Sequence, residues 1–211
     1  MTRLLEHDAL RLLSERGIAV PDFVVAAEAQ EAAQATATFG GESVLKALIP
    51  VNGRASAGGV RIARSVEDAW KIAEAMLGEK VLGYRVDRLL VSRLVEAEWE
   101  LAVLFAPDPE TQRPTLFASA LGGIDVADVA RRDPAALVRR QLEHADGSSA
   151  GAARAVAEDL GLGAEESDVL VPALEAMYRA FTELGAQLLE INPLMIASDR
   201  SIVVPTATLV V

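Results

Sequence analysis

The chain has 211 residues, of which 51% are hydrophobic and 24% charged, and it carries a net charge of −11 and no cysteine. This is the composition of a folded globular chain that can bury a sizeable core as one large domain or two small lobes. The negative charge argues against nucleic acid or an anionic membrane as the main partner, and the lack of cysteine excludes disulfides, thiolate catalysis and cysteine metal sites.

The first half of the chain predicts short strands that alternate with helices. Leu5, Ala9, Leu12 and Leu13 fall on one helical face, and Gly17 is a typical stop for that helix. Apolar runs predict strands at Phe23–Ala26, Val44–Ile49, Val60–Ala63 and Leu89–Leu94. An Ala-rich segment and a Ser-capped segment between these runs predict two further helices.

The second half predicts a long hairpin followed mainly by helices. Two apolar strands, Trp99–Phe105 and Thr115–Leu121, are joined by a polar, Pro-rich loop. Helical stretches are predicted near Val126–Glu143, Ala150–Leu160 and Glu165–Leu184. A strand at Gln187–Ile191 is expected to end at the turn-like Asn192–Pro193, before a last hairpin around Ser198–Ser201. Crossover and hairpin connections together indicate an α/β or α+β fold.

The hydropathy of the chain and its first residues indicate the cellular location of the protein. No apolar run approaches the roughly 20 residues that span a bilayer. The first residues, MTRLLEHDALRLL, carry acids at helical spacing, which is unlike a signal peptide. We therefore expect a soluble, cytoplasmic protein.

A lysine interrupts the apolar strand predicted at Val44–Ile49. Alternation places Lys46 on the same face as Val44 and Leu48. One interpretation is an edge or snorkelling lysine that keeps its ammonium group in water. The other is a phosphate contact, since the ammonium group is a compact positive charge with three donors. The residues alone leave both interpretations open.

A loop of small residues, GRASAGG at 53–59, follows that strand. Small residues let backbone N–H groups approach an anion closely, and Arg54 adds charge and a bidentate fork. The segment is not a Walker loop and does not match GxGxxG, so an ordinary flexible connection explains it as well. Its position just after Lys46 is what favours a phosphate site.

Two carboxylates lie in apolar strands. Glu100 falls on the face of Ala102 and Leu104, and Glu190 lies in the segment LLEIN. Such a group is costly to bury unless a metal ion, an adenosine hydroxyl or a basic partner pairs with it, but an exposed sheet face explains it equally well. Asn192, next to Glu190, is either part of a simple turn or a hard oxygen ligand suited to magnesium.

The two histidines, His7 and His144, lack companions at the spacing of a catalytic triad or a metal site, and we predict both to be structural. The chain also lacks a GxSxG nucleophile elbow. We therefore predict no catalytic residue in this chain.

Several segments occur in an order that is typical of one family. They are GIAVPDF, VLKALIPVNGRASAGGV, WELAVLF, FASALGGIDV and LLEINPLMI, of which LLEINPL is the most specific. Along nearly all 211 residues the chain resembles the ATP-grasp region of the succinyl-CoA synthetase β subunit, from the family of acyl-CoA synthetases that form a nucleoside diphosphate. The resemblance implies a two-lobed ATP-grasp fold, with residues 20–95 in the smaller lobe and residues 1–19 and 96–211 in the larger.

The resemblance also implies site residues, carried over by position. Lys46 matches the phosphate-contacting lysine, Gly53, Arg54 and Ala55 match the nucleotide loop, and Asn192 matches a magnesium ligand. The nucleotide-binding residues implied are Lys46, Gly53, Arg54, Ala55, Ser92 and Glu100. The magnesium ligands implied are Asn192, Glu190 and Thr206. The ligands expected are ATP or GTP together with Mg²⁺.

The chain departs from the family at several of these positions. Thr206 stands where the family has an Asp that is the second magnesium ligand, and a hydroxyl is a much poorer ligand than a carboxylate. Ser92 and Leu121 each replace an acid. Ala55 replaces the second glycine of GRG, which restricts the loop backbone.

The resemblance implies partners as well. In the family a CoA-ligase domain follows the ATP-grasp region, and the catalytic phosphohistidine belongs to an α subunit or domain; this sequence of 211 residues contains neither. One hypothesis is a ligase component, inactive alone, that supplies nucleotide and magnesium to an α-like, CoA-binding, histidine-bearing subunit and a CoA-ligase domain in trans. The alternative is a degenerate, non-catalytic nucleotide-binding or structural subunit.

Overall fold

The computed structural model describes residues 1–108, 110–124, 126–142 and 149–211. These residues form two compact units. The small unit comprises Leu5–His7 and Pro21–Val95, and the large unit comprises Met1–Leu4, Asp8–Val20 and Glu96–Val211. The first helix, α1 (Glu6–Ser14), begins with residues counted in the small unit and continues with residues of the large one. Every helix within the described residues is too short or too polar to span a bilayer.

The small unit is built on a four-stranded antiparallel sheet. Its elements in chain order are β1 (Phe23–Ala26), α2 (Ala29–Thr38), β2 (Ser43–Ala47), β3 (Val60–Ala63), α3 (Val66–Met76), β4 (Lys80–Val81), β5 (Tyr84–Arg85) and β6 (Leu89–Arg93). The strand order is β1-β6-β2-β3, and β4 and β5 form a separate hairpin. The four strands predicted in this half are therefore confirmed close to their expected bounds.

The two faces of this sheet differ in chemistry. Leu45, Ala47 and Val91 belong to the buried cluster that includes residues of α2 and α3. Because side chains alternate along a strand, Lys46 and Ser92 lie on the opposite face. The helices thus cover one face with apolar contacts, and the other face carries the polar candidates.

The large unit is built on a second antiparallel sheet, of order β11-β10-β7-β8-β9, with β12 also paired to β10. Its further elements are β7 (Trp99–Pro107), β8 (Pro114–Ser119), α4 (Val126–Arg132), β9 (Val138–Gln141), α5 (Ser149–Asp159), α6 (Ala164–Glu183), β10 (Leu188–Ile196), β11 (Ile202–Val203) and β12 (Thr208–Val210). The buried ring of Phe105 on β7 lies 6.1 Å from the rings of Tyr178 and Phe181, which fixes α6 against the sheet.

Both predicted hairpins of the second half are confirmed, as β7–β8 and β10–β11, and so are the two later helices. The helix expected over Val126–Glu143 is wrong. It stops at Arg132 because Asp133 precedes a proline, which disfavours helical backbone there. A 3₁₀ turn follows, and then β9, whose residues pair with β8. Glu143 lies outside the described residues.

The strand expected to end at Asn192–Pro193 in fact continues through that pair to Ile196. Its pairing with β7 shifts between Ile191, opposite Val103, and Leu194, opposite Leu101. Two residues of β10 therefore face one residue of β7, which is a β-bulge. The bulge accommodates the proline and takes Asn192 out of the regular ladder.

Candidate nucleotide and metal sites

Lys46 lies near the end of β2, which is an interior strand between β6 and β3. Its side chain is only 7% exposed, so the interpretation as an edge or snorkelling lysine is wrong. The ammonium Nζ donates to Glu6 Oε1 over 2.9 Å, and the Glu6 side chain is 2% exposed. A buried ammonium group requires such a partner because leaving water is costly for a charge.

Arg54 reaches the same carboxylate from the following loop. Its Nη2 donates to Glu6 Oε2, and its Nη1 donates to the Ala47 carbonyl over 3.1 Å. The two oxygens of Glu6 thus serve two different cations. The three groups together carry a net charge of +1, from two cations and one anion.

The loop that carries Arg54 is folded back on itself. Gly59 N donates to the Arg54 carbonyl over 2.7 Å, and Ala57 N donates to the Gly53 carbonyl over 3.2 Å. A Cβ at Gly59 would lie 3.1 Å from the Arg54 oxygen, so the turn favours a glycine there. Gly53 has a φ of 76°, a backbone conformation that also favours glycine. Ala55 is an exposed residue of the same turn. The loop is therefore a turn closed by its own backbone hydrogen bonds.

Ser92 lies in β6, between Phe23 of β1 and Val44 of β2. The residue is buried within the sheet, on the same face as Lys46. It therefore shares a sheet face with the cationic group.

Glu100 belongs to the large unit and is exposed on β7. Its main chain is packed tightly: Gly122 N donates to the Glu100 carbonyl over 3.0 Å. A Cβ at Gly122 would lie 2.5 Å from the Glu100 carbonyl carbon and 2.6 Å from its oxygen. Only glycine fits that approach, and it holds the segment after β8 beside Glu100.

Asn192 is anchored to the same segment. Its Oδ1 accepts from Gly123 N over 2.7 Å, and its Nδ2 donates to the Ile124 carbonyl over 2.7 Å. The side-chain amide thus closes a small ring with the loop. An amide oxygen has two lone pairs, so Oδ1 retains one acceptor direction for another ligand. The GG pair was the sequence signal for this contact, and its link to Asn192 was missed.

The other two metal candidates differ in position. Glu190 is half-buried in β10, opposite Leu104 of β7 and Thr208 of β12. Thr206 is half-buried in the segment between β11 and β12. In the part of the chain that the structure describes, no group of three or more His, Asp or Glu side chains could hold a metal ion. Glu190, Asn192 and Thr206 are oxygen donors of the kind that Mg²⁺ accepts, with one carboxylate among them.

One buried carboxylate lies apart from these candidates and was missed from the sequence. Asp108 is 0% exposed at the end of β7, where its Oδ1 accepts from the backbone of Thr111 over 2.8 Å and of Glu110 over 3.0 Å. These donors, Thr111 first, and the Arg139 guanidinium hold the pKa of Asp108 below its usual value. The carboxylate joins the β7–β8 loop to β9, which is a structural role.

His7 is buried in α1 beside Glu6, while His144 lies outside the described residues.

A family model described as the ATP-grasp domain matches residues 3–196 of the chain. The chain belongs to the ATP-grasp family. The recognition made from LLEINPL and the glycine-rich loop is thereby confirmed, together with the mixed α/β class. The lobe boundaries and the roles of individual residues stay predictions.

Relatives of this ATP-grasp chain are β subunits of succinate–CoA ligase (ADP-forming). The protein from Halorubrum lacusprofundi is 34% identical over 207 residues, which is 98% of this chain and 54% of that protein. The protein from Rubrobacter xylanophilus is 34% identical over 200 residues, which is 95% of this chain and 52% of that protein. The chain therefore spans about half the length of these curated relatives.

Solved structures share the fold. The dinucleotide forming acetyl-coenzyme A synthetase 1 of Ca. Korarchaeum cryptofilum, in complex with coenzyme A and Ca-AMPCP, has a TM-score of 0.77 at 23% identity and covers 99% of this chain and 93% of that one. The ATP citrate lyase of Methanothrix soehngenii has a TM-score of 0.72 at 18% identity and covers 98% of this chain and 50% of that one. At these identities the likeness concerns the ATP-grasp fold alone.

Proposed function

We propose that this chain is the nucleotide-binding module of an acyl-CoA synthetase that forms a nucleoside diphosphate. The observation that carries the proposal is the meeting of Lys46 and Arg54 at one carboxylate, beside a glycine-rich turn. A buried lysine and a half-buried arginine that converge from a strand and a loop form a position suited to an anion with several oxygens, such as a phosphate.

The share of such a module in phosphoryl transfer is positioning and charge neutralisation. Lys46 and Arg54 hold phosphate oxygens of ATP or GTP, and the backbone N–H groups of the loop at 53–55 add further donors. Ser92 and Glu100 contribute to the nucleotide site. Bound Mg²⁺ neutralises phosphate charge and takes most of its ligands from phosphates and water, with Glu190, Asn192 and Thr206 as the protein donors.

The reaction requires partners that bring CoA and a phosphorylatable histidine. The relatives are named as subunits of a succinate–CoA ligase, and this chain covers only 54% of the first of them. The structural neighbours named above contain coenzyme A. We therefore propose that the nucleotide site works with an α-like, CoA-binding, histidine-bearing subunit and a CoA-ligase domain, and that these 211 residues do not form acyl-CoA by themselves. The location we propose is the cytoplasm.

A second candidate is a degenerate nucleotide-binding or structural subunit. Two points favour it: Thr206, where the resemblance implies an acid, lies between strands, and Asn192 Oδ1 already accepts from Gly123 N. Both weaken the metal half of the site while leaving the cationic half intact.

Calorimetric titration of ATP with magnesium into the 211-residue chain tests the first candidate. We expect weak to moderate binding, and Lys46→Ala should cost about 1.5–3 kcal/mol of it, the range for a hydrogen bond to a charged group. Lys71→Ala is the matched control, since Lys71 is 67% exposed and pairs with Glu67 on the surface. Absence of binding by the wild-type chain at millimolar ATP would remove the catalytic-module proposal in its simple form.

A further inference from the structure

The carboxylate that joins Lys46 and Arg54 belongs to the first residue of α1. Glu6 Oε1 accepts from one cation and Oε2 from the other, so each oxygen has its own partner. The side chains of Glu6, Lys46 and Arg54 are 2%, 7% and 13% exposed. Glu6 therefore occupies the point at which the two cations converge.

That point is also where a phosphate would bind. A carboxylate offers two oxygens to a pair of donors, and a phosphate offers the same arrangement with one oxygen more. Both anions compete for the same ammonium and guanidinium N–H groups. With Glu6 in place the trio carries +1, whereas the two cations alone would carry +2. The local attraction for phosphate is correspondingly weaker.

We propose, building on the function proposed above, that Glu6 is an internal counter-anion for Lys46 and Arg54. Nucleotide phosphate binds by taking over these two cations from Glu6, and the cost of releasing the carboxylate sets the affinity. Once released, the carboxylate remains at the N-terminus of α1, where the helix dipole favours a negative charge. Glu6 is thus a residue that tunes nucleotide affinity without touching the nucleotide.

The opposite role would be a brace that stays in place and orients the cations while phosphate binds elsewhere on them. The two roles predict opposite effects on phosphate affinity when Glu6 is substituted. Removing a competing anion strengthens phosphate binding, while removing a brace weakens it. A substitution that removes only the charge of Glu6 separates them.

The experiment compares Glu6→Gln with the wild-type chain, using sodium tripolyphosphate and ATP with magnesium as separate probes in calorimetry. Glutamine keeps the size of the side chain and can still accept from Lys46. We expect both probes to bind about three- to tenfold more tightly to Glu6→Gln. Glu42→Gln is the control for net charge, because Glu42 is an exposed carboxylate paired with Arg64 in the same unit. It should leave both affinities unchanged.

Two variants guard against a folding artefact. Glu6→Asp keeps the charge and should stay within about twofold of the wild type, so a large gain in that variant would contradict the proposal. If Glu6→Gln is unstable, millimolar tripolyphosphate should raise its Tm more than that of the wild type. A phosphate that takes the place of the missing carboxylate stabilises the variant by mass action. An equal shift in the two proteins would overturn the proposal.

The outcomes also separate this proposal from the proposed function. Unchanged or weaker binding by Glu6→Gln, with clear ATP binding by the wild type, overturns the role of Glu6 and leaves the nucleotide site standing. A gain in tripolyphosphate binding without any ATP binding supports the role of Glu6 and counts against the nucleotide module. Failure of every protein to bind either probe counts against both.

Discussion

The cationic group of the small unit and the oxygen donors of the large unit are built in different ways. Lys46 and Arg54 have side chains at most 13% exposed, and both pair with one buried carboxylate. In the large unit, Glu100 is exposed and Thr206 lies between strands. Asn192 is held by backbone groups of its own loop. The first set is part of the folded core, whereas the second set is half-buried at Glu190, Asn192 and Thr206 and exposed at Glu100.

This difference in burial affects whether the presence of a residue is evidence for function or only for folding. Loss of Lys46 would remove one of the cations that pair with the buried carboxylate of Glu6, so Lys46 contributes to folding as well as to any ligand contact. An exposed donor can change with little effect on folding. The presence of Lys46 is therefore modest evidence for catalysis.

The largest effect that follows from the comparison is on stability. Lys46→Ala should lower the free energy of unfolding by about 2–3 kcal/mol, because it removes a charged hydrogen bond to Glu6 while Arg54 still pairs with that carboxylate. Glu100→Ala, at an exposed position, should change it by less than about 0.5 kcal/mol. Urea unfolding followed by circular dichroism measures both. Equal losses in the two variants would break the distinction between a core group and a surface group.

The second effect sharpens the comparison inside the large unit. Gly122→Ala should cost about 2 kcal/mol, since its Cβ would lie 2.5 Å from the Glu100 carbonyl carbon and the backbone must shift. Gly151→Ala is the control, because a Cβ at Gly151 meets nothing within 4 Å and α5 gains a better helix former. Thermal unfolding of both variants measures their stabilities relative to the wild type. A Gly122→Ala variant as stable as the wild type would show that the approach is loose.

The smallest effect concerns the metal. Thr206→Asp should strengthen the magnesium-dependent part of ATP binding by about 1 kcal/mol, the order of a charge–charge interaction in water. Thr206→Asn is the control, since it supplies an oxygen without the charge. ATP affinity is titrated against magnesium for the three proteins. Identical magnesium dependence in all of them would place Thr206 away from the metal and favour the degenerate-subunit hypothesis.

Local signals predicted much of the fold. Apolar runs bounded by turns predicted the four strands of the first sheet and β7, β8 and β10 of the second, including the β7–β8 hairpin with its Pro-rich loop, but not β9 or β12. The helix prediction failed at Asp133, where a following proline outweighed the Ala- and Leu-rich pattern on both sides. The strand prediction failed at Asn192, because a bulge lets a strand pass through residues that usually form a turn.

The candidate site was less predictable, for a physical reason. Lys46 and the loop after it are neighbours in sequence, so their association was visible. Their partner Glu6 is 40 residues before Lys46, and only the fold brings the two together. The contacts of Asn192 with the loop after β8 likewise span 69 residues. No local pattern encodes such pairs, which depend on the register of whole strands.

The bulge in β10 changes which positions of that strand, odd or even, carry the buried side chains. Before it, the fully buried side chains are at odd positions, Leu189 and Ile191; after it they are at even positions, Leu194 and Ile196. The extra residue reverses the alternation once, so both halves of the strand face the same core. Deleting either Asn192 or Pro193 would remove the extra residue and restore a regular alternation, so both halves would still face the core, but the bulge would be lost. The bulge that places Asn192 beside its loop thus also keeps the strand's hydrophobic side continuous across the extra residue.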